Sequence, residues 1–215
     1  MSSALSWPPR LVAITDLERL DRDVLVRRAR QLARAAQPGG VALLLRDHTA
    51  SGRQRLTVGL ALRDAAREHE QQLWVADRID LALLLDADAL HLGEASVTAL
   101  QARRLLPARV RVSRAWHRAG LDERGERELD GVEALLVSPV MAPRKGRPPL
   151  GLAALSGLGE QLRARNQAYP LLALGGVTAD NAAACLAAGA AGVAAIGAAF
   201  DGAPGPLLEA LHVGR

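Results

Sequence analysis

Cysteine occurs once in the 215 residues, lysine once, and aromatic side chains make up 2%. A lone Cys185 cannot form an internal disulfide, which excludes a disulfide-stapled secreted scaffold and suits a reducing, cytoplasmic compartment. No run of 18 apolar residues is present, which excludes a helical membrane span. The opening Met1-Ser-Ser-Ala-Leu-Ser-Trp-Pro-Pro lacks the charged start and long apolar stretch of a secretory signal. Scarce aromatics remove the stacking platforms that single strands of nucleic acid use. Positive charge is not concentrated either. The net charge is +4, and arginines interleave with Asp and Glu through residues 19–34 and 63–70, the pattern of solvated helix faces. Neither nucleic acid nor membrane is expected as a partner.

What the chain has in quantity is short, wholly apolar runs separated by helical periodicity. The strand candidates are 11–14, 41–45, 73–76, 89–92, 110–113, 132–137, 171–174 and 193–196. Runs of four to six apolar residues suit strands buried on both faces of a parallel sheet. Between them apolar residues recur at helical spacing, as in Leu152, Leu155, Leu158 and Leu162. Alternation of this kind predicts parallel strands with helical crossovers. Eight strands in this length predict an α/β chain forming a single compact (β/α)8 TIM barrel. An open dinucleotide-binding sheet is disfavoured, because the first strand ends Ile14-Thr15-Asp16 with no glycine following. No linker divides the chain. The expected organisation is a flexible N-terminal lead-in over residues 1–8 and one barrel domain over residues 9–215.

In a barrel the residues just past each strand's C-terminal end share one face, and chemistry belongs there. Those positions hold Thr15-Asp16, Arg46-Asp47-His48, Asp77-Arg78, Gly93-Glu94, Ser113-Arg114, the segment 138–151, Gly175-Gly176 and Gly197. This is a polar, Gly-rich set in an otherwise apolar chain. Gly175 and Gly176 after the seventh strand, with Ile196 and Gly197 after the eighth, are expected to bind a substrate phosphate, since exposed backbone N–H groups can approach it closely. The alternative is that these glycines only make tight turns. The segment 138–151 is the longest loop and carries Lys145 between Arg144 and Arg147. A lysine where every other basic residue is arginine suggests a point charge on a flexible clamp over an anionic substrate. An exposed loop with a chance lysine is the competing explanation.

These stretches also carry a family resemblance. Leu11-Val-Ala-Ile-Thr-Asp16, Asp77-Arg-Ile-Asp-Leu-Ala82, Asp88-Ala-Leu-His-Leu-Gly93, Val112-Ser113, Ser138-Pro-Val140, Lys145, Leu150-Gly151, Ala173-Leu-Gly-Gly-Val177 and residues 188–196 run in order over nearly the whole chain. In this order they resemble the thiamine phosphate synthase family, which includes thiazole tautomerases. The Asp-Arg-Ile-Asp and Ala-Asp-Ala-Leu-His-Leu-Gly portions are the most specific. For a synthase, the resemblance implies joining hydroxymethylpyrimidine diphosphate to a thiazole phosphate with release of pyrophosphate, assisted by Mg²⁺. It implies Arg46, Ser113 and Lys145 as catalytic residues, and Arg46, His48 and Asp77 on the pyrimidine diphosphate side. Family members often associate, so a homo-oligomer is implied as one option.

The family pattern is only partly kept. Leu44 stands at the glutamine position of the second loop, His48 at its lysine and Ala76 at the asparagine of the third. Glu94 replaces a glutamine and Ser96 the second metal-binding aspartate. Any metal would fall to Asp77, with Glu94 as substitute ligand, because Mg²⁺ favours carboxylate oxygens beside substrate phosphates. The tautomerases carry a Ser-x-His pattern in the fifth loop. Here Ser113-Arg-Ala-Trp-His117 places His117 two residues further along, either as a proton shuttle or as an ordinary polar residue opening the next helix. His91 reads as a packed barrel residue. Intact phosphate loops and a candidate histidine favour tautomerase-like proton transfer on thiazole phosphate carboxylate, which needs no cofactor. The alternatives are a synthase with a rebuilt metal site and a non-catalytic binder of a phosphorylated ligand.

Overall fold

The computed structural model describes residues 6–214. Eight parallel strands close into one barrel in sequence order, with β1 paired to both β2 and β8. They are β1 Leu11–Ile14, β2 Val41–Leu45, β3 Gln72–Ala76, β4 Ala89–Leu92, β5 Arg111–Trp116, β6 Ala134–Val137, β7 Leu171–Leu174 and β8 Gly192–Ala195. The outer layer comprises α1 Arg22–Ala35, α2 Gly52–Glu68, α3 Ile79–Leu84, α4 Ala99–Arg103, α5 Glu123–Glu128, α6 Gly151–Ala164, α7 Ala179–Ala187, α8 Gly197–Phe200 and α9 Gly205–Ala210. The single (β/α)8 barrel expected from the alternating pattern is the fold observed.

The wholly apolar strands serve two cores. Successive side chains point to opposite faces, so one set of residues packs against the helices while the other fills the barrel. Val12, Ile14, Ala42, Leu44, Trp74, Ala76, Ala89, Leu136, Leu172 and Ala194 form the inner cluster, separate from the larger cluster under the helices. The helices start where local chemistry allows. Ser51 with Gln54 and Thr98 with Gln101 form capping boxes for α2 and α4, and Asp122 accepts from the Gly125 amide at the start of α5.

Ahead of β1, Trp7 stacks on Trp74 at the barrel's N-terminal end, with ring centroids 5.1 Å apart, and the Ser6 carbonyl accepts from the Gln72 side chain at 2.7 Å. Residues 1–5 lie outside the described residues. The fifth strand, expected over 110–113, runs on to Trp116. Arg114 reads as a loop residue in the sequence, but it faces outward from the strand and its guanidinium reaches the Val97 and Glu94 carbonyls at 3.4 and 3.5 Å. Among the described residues no helix is long and apolar enough to cross a membrane.

Candidate active site

The C-terminal ends of the strands open into a pocket of about 550 Å³. Its floor is the top of the inner core: Ile14, Ala76, His91, Ala115, Leu174 and Ile196. Its wall carries Arg46, His48, Arg144 and Lys145. Among the described residues, the side chains of Arg46, Arg144 and Lys145 form no ion pair or hydrogen bond with the rest of the chain, whereas ion pairs tie many of the other arginines to carboxylates. Unpaired cations gathered around a cavity repel one another until an anion arrives. That repulsion shows in their neighbours. Burial and the nearby Arg46 hold His48 below the ordinary imidazole range, and the same two causes lower Arg144.

The segment 138–151 contains a tight hairpin turn. Arg144 and Arg147 exchange both backbone hydrogen bonds at 3.0 Å across Lys145 and Gly146, which have φ of 49° and 74°. Positive φ at both central residues is the two-residue hairpin turn of the primed type, which favours glycine at its second position. Lys145 is thus held at the tip of a tight hairpin that lines the pocket. The base of the segment is zipped to the loop after β7: Val140 N donates to Leu174, and Met141 and Ala142 N both donate to Gly175. Gly175 and Gly176 permit this approach. A Cβ on Gly175 would sit 2.8 Å from Pro139 Cα, and one on Gly176 only 2.7 Å from Ala142 N. Gly175, Gly176, Ile196 and Gly197 line a second, adjoining cavity of about 360 Å³, and Arg144 borders both.

Asp77 is the carboxylate at the pocket edge. Its φ is 61°, an uncommon conformation outside glycine that aspartate tolerates and that clusters at functional sites. Its Oδ1 accepts from Gly93 N at 2.9 Å and from the Ser96 hydroxyl, and Oδ2 has no protein donor among the described residues. His117 follows β5 directly and lines the pocket. Its Nδ1 lies 2.6 Å from the Ser138 carbonyl oxygen. A carbonyl only accepts, so Nδ1 carries a proton, and in the neutral ring Nε2 is the nitrogen with the lone pair.

Comparison with known proteins decides the lineage of this barrel. A family profile described as thiamine monophosphate synthase matches residues 11–199. Thiamine-phosphate synthase from Moorella thermoacetica is 34% identical over 178 residues, 80% of this chain and 81% of that protein. Its counterpart from Albidiferax ferrireducens is 37% identical over 185 residues, covering 85% and 81%. The chain belongs to the thiamine monophosphate synthase family. A solved thiamine phosphate pyrophosphorylase from Pyrococcus furiosus superposes with a TM-score of 0.77 at 27% identity, covering 94% of this chain and 95% of that one. The protein is therefore a thiamine-pathway enzyme of this family, as its motifs implied.

Within that family frame, the structure sorts the expected residues. Arg46, His48, Asp77, His117 and Lys145 converge on one pocket, and Gly175, Gly176, Ile196 and Gly197, expected to bind a phosphate, line the adjoining cavity. Ser113 does not join them. It is fully buried, one inward position below the pocket, because β5 continues for three more residues; Ala115 occupies the pocket-facing position. His117 follows the strand end, two residues beyond Ala115, and lines the same pocket. Glu94 lines the rim but is 60% exposed and ion-paired to Arg147 at 2.6 Å, so that pairing competes with the substitute metal role expected of it. Among the described residues, no three His, Cys, Asp or Glu side chains cluster as a metal site. Sequence reasoning passes over Arg144 as a mere neighbour of Lys145. The glycine at 146 was the available signal, since it marks a hairpin turn that returns Arg144 and Arg147 to the same place.

Proposed function

We propose that this enzyme is a thiamine phosphate synthase, condensing hydroxymethylpyrimidine diphosphate with thiazole phosphate. The observation that carries the proposal is the set of three cations, Arg46, Arg144 and Lys145, unpaired within the described chain and facing one pocket. The names of the relatives support the same reaction over the tautomerase reading favoured by the sequence. The bond between the pyrimidine methylene and the diphosphate oxygen breaks, and its electron pair leaves with pyrophosphate. The thiazole nitrogen lone pair then forms the new C–N bond to that methylene. Charge accumulates on the leaving group as the bond breaks, so fixed cations aimed there lower the barrier. Arg144, on the border of the two cavities, is placed to neutralise both the diphosphate and the thiazole phosphate held by the Gly175-Gly176 and Ile196-Gly197 loops.

Mg²⁺ is commonly held by one or two carboxylates plus substrate phosphates. Asp77, whose Oδ2 has no donor among the described residues, fits the single-carboxylate version. The ion would add to the charge neutralisation that the arginines and lysine begin. The test is thiamine phosphate formation from the two substrates with Mg²⁺, followed by fluorescence after oxidation. Arg46→Ala and Lys145→Ala should each lower kcat/KM by about 10²-fold or more. An unchanged rate in both would refute the role of the cation set.

A second reading rests on His117. Its Nε2 lone pair on the pocket suits removal of a carbon-bound proton, which is what isomerising a thiazole phosphate carboxylate requires. This reaction uses no metal. Acceleration of an authentic synthase supplied with the carboxylate, abolished by His117→Asn and indifferent to chelation, would establish it. Binding without turnover in either assay would leave a ligand-binding role.

A further inference from the structure

Arg46 is followed in sequence by a carboxylate, Asp47, yet it is one of the three unpaired cations of the pocket. The dipeptide Arg-Asp occurs three times in the chain. In the other two the neighbours pair: Arg22 with Asp23 at 2.8 Å and Arg63 with Asp64 at 2.9 Å. What sets Arg46 apart is where Asp47 is held. Asp47 is 6% exposed, does not line the pocket, and has both oxygens engaged by the loop after β1. Its Oδ2 accepts from the Thr15 hydroxyl at 2.5 Å and its Oδ1 from Leu17 N at 2.6 Å. Thr15 continues the β1–β2 ladder by one bond, Thr15 N to the Leu44 carbonyl at 3.0 Å, which sets its side chain beside the exit of β2. There the buried hydroxyl oxygen also accepts from Arg46 N at 3.0 Å. A hydroxyl has one hydrogen to give, and Thr15 gives it to the carboxylate.

We infer that Thr15 is a positioning residue for Arg46. It fixes the Arg46 backbone and keeps the Asp47 carboxylate on the β1 loop, so that Arg46 meets the pocket with its charge uncancelled. A free carboxylate one residue away would compete with an anionic ligand for the guanidinium, because carboxylate and phosphate both match its two-pronged donor geometry. Serine supplies the same hydroxyl. Valine, close to threonine in shape, does not, and would leave Arg46 N and Asp47 Oδ2 without these partners. A buried carboxylate that has lost a donor is strongly driven to find a cation, and Arg46 is the unpaired one beside it. That the ligand competing for Arg46 is the diphosphate of the pyrimidine substrate rests on the synthase reading.

Calorimetry with inorganic pyrophosphate tests the inference without turnover. Arg46→Ala should weaken binding about tenfold or more, which measures what the guanidinium contributes. Thr15→Val should reproduce most of that loss, and Thr15→Ser should bind as the wild type does. The discriminating protein is the double variant Thr15→Val with Asp47→Asn. With the carboxylate gone nothing competes for Arg46, so its affinity should return to within about threefold of the wild type. A brace that serves stability alone predicts the reverse, a further loss on the second substitution. Thermal unfolding reports whether each variant is folded. If Thr15→Val is not, Thr15→Ala removes the same hydroxyl and is compared in its place, alone and with Asp47→Asn. Wild-type affinity in the hydroxyl-free variant would overturn the inference, as would a double variant no better than the single. If Arg46→Ala itself loses nothing, the role of the cation set falls and the inference with it. If the pattern of affinities holds but no thiamine phosphate forms, the condensation falls and the positioning role stands.

Discussion

At the residue scale, the site depends on which groups are charged and which are kept neutral. The pocket collects three cations, Arg46, Arg144 and Lys145, without carboxylate partners among the described residues, while its floor histidine is held uncharged by burial. This neutrality has a consequence for stability. In the unfolded chain His91 takes up a proton near the ordinary imidazole value of 6.5, but in the fold only near 4. Below 6.5 the unfolded state therefore binds more protons, and stability falls as pH drops toward 4, by roughly 3 kcal/mol across the window if fully expressed. Thermal denaturation between pH 7 and about pH 4.5 should show this decline, and His91→Gln, which does not titrate, should flatten it. An equal slope in the variant would assign the acid sensitivity to other groups.

At the element scale, the hairpin carrying Lys145 and the Gly-Gly turn after β7 act as one unit, joined by three backbone hydrogen bonds. Their glycines differ in what a side chain would meet. A methyl group on Gly146 would find nothing within 4 Å, so Gly146→Ala should cost only the strain of its positive φ, about 1 kcal/mol. Gly176→Ala adds contact with the Ala142 backbone and side chain, and should cost about 3 kcal/mol. It should also raise the KM for thiazole phosphate, because the turn lines that cavity. Urea unfolding of the two variants side by side checks the ranking. The hydrophobic runs make seven of the eight strands legible to within two residues at either end. β5 is the exception, since its outward arginine is satisfied by backbone carbonyls that belong to the loop after β4. Nothing in the local pattern reports such a partner. Because strand ends set which residues face the pocket, that one misplaced boundary puts Ser113 in the site.

For the whole molecule, the two ends of the barrel divide stability from chemistry. Trp7 and Trp74 close the N-terminal end, and the cations and histidines line the other. Trp7→Ala should therefore lower stability by about 2 kcal/mol with KM for both substrates unchanged. A large KM shift would show the two ends to be coupled. The charge of the open end has a different signature. Exposed charges are screened beyond about 10 Å at 0.1 M salt, so the apparent affinity for the pyrimidine diphosphate should weaken as salt rises. A salt-independent KM would argue that the cations act only at contact distance.

The order of strands, the closed barrel and the family followed from the sequence alone, because apolar alternation and short crossovers leave a chain of this length few other ways to bury its strands. So did the convergence of Arg46, Asp77, Lys145 and the glycine loops, since every strand end in a barrel points to one face. What only the tertiary structure decided were contacts between residues far apart in the chain. Glu94 meets Arg147 across 53 positions, Trp7 closes the barrel floor, and Ser113 meets His91 beneath the pocket. Hydrogen-bond direction and ion pairing depend on distances of a few ångströms between separate loops, and periodicity along one strand carries no information about its neighbour's side chains.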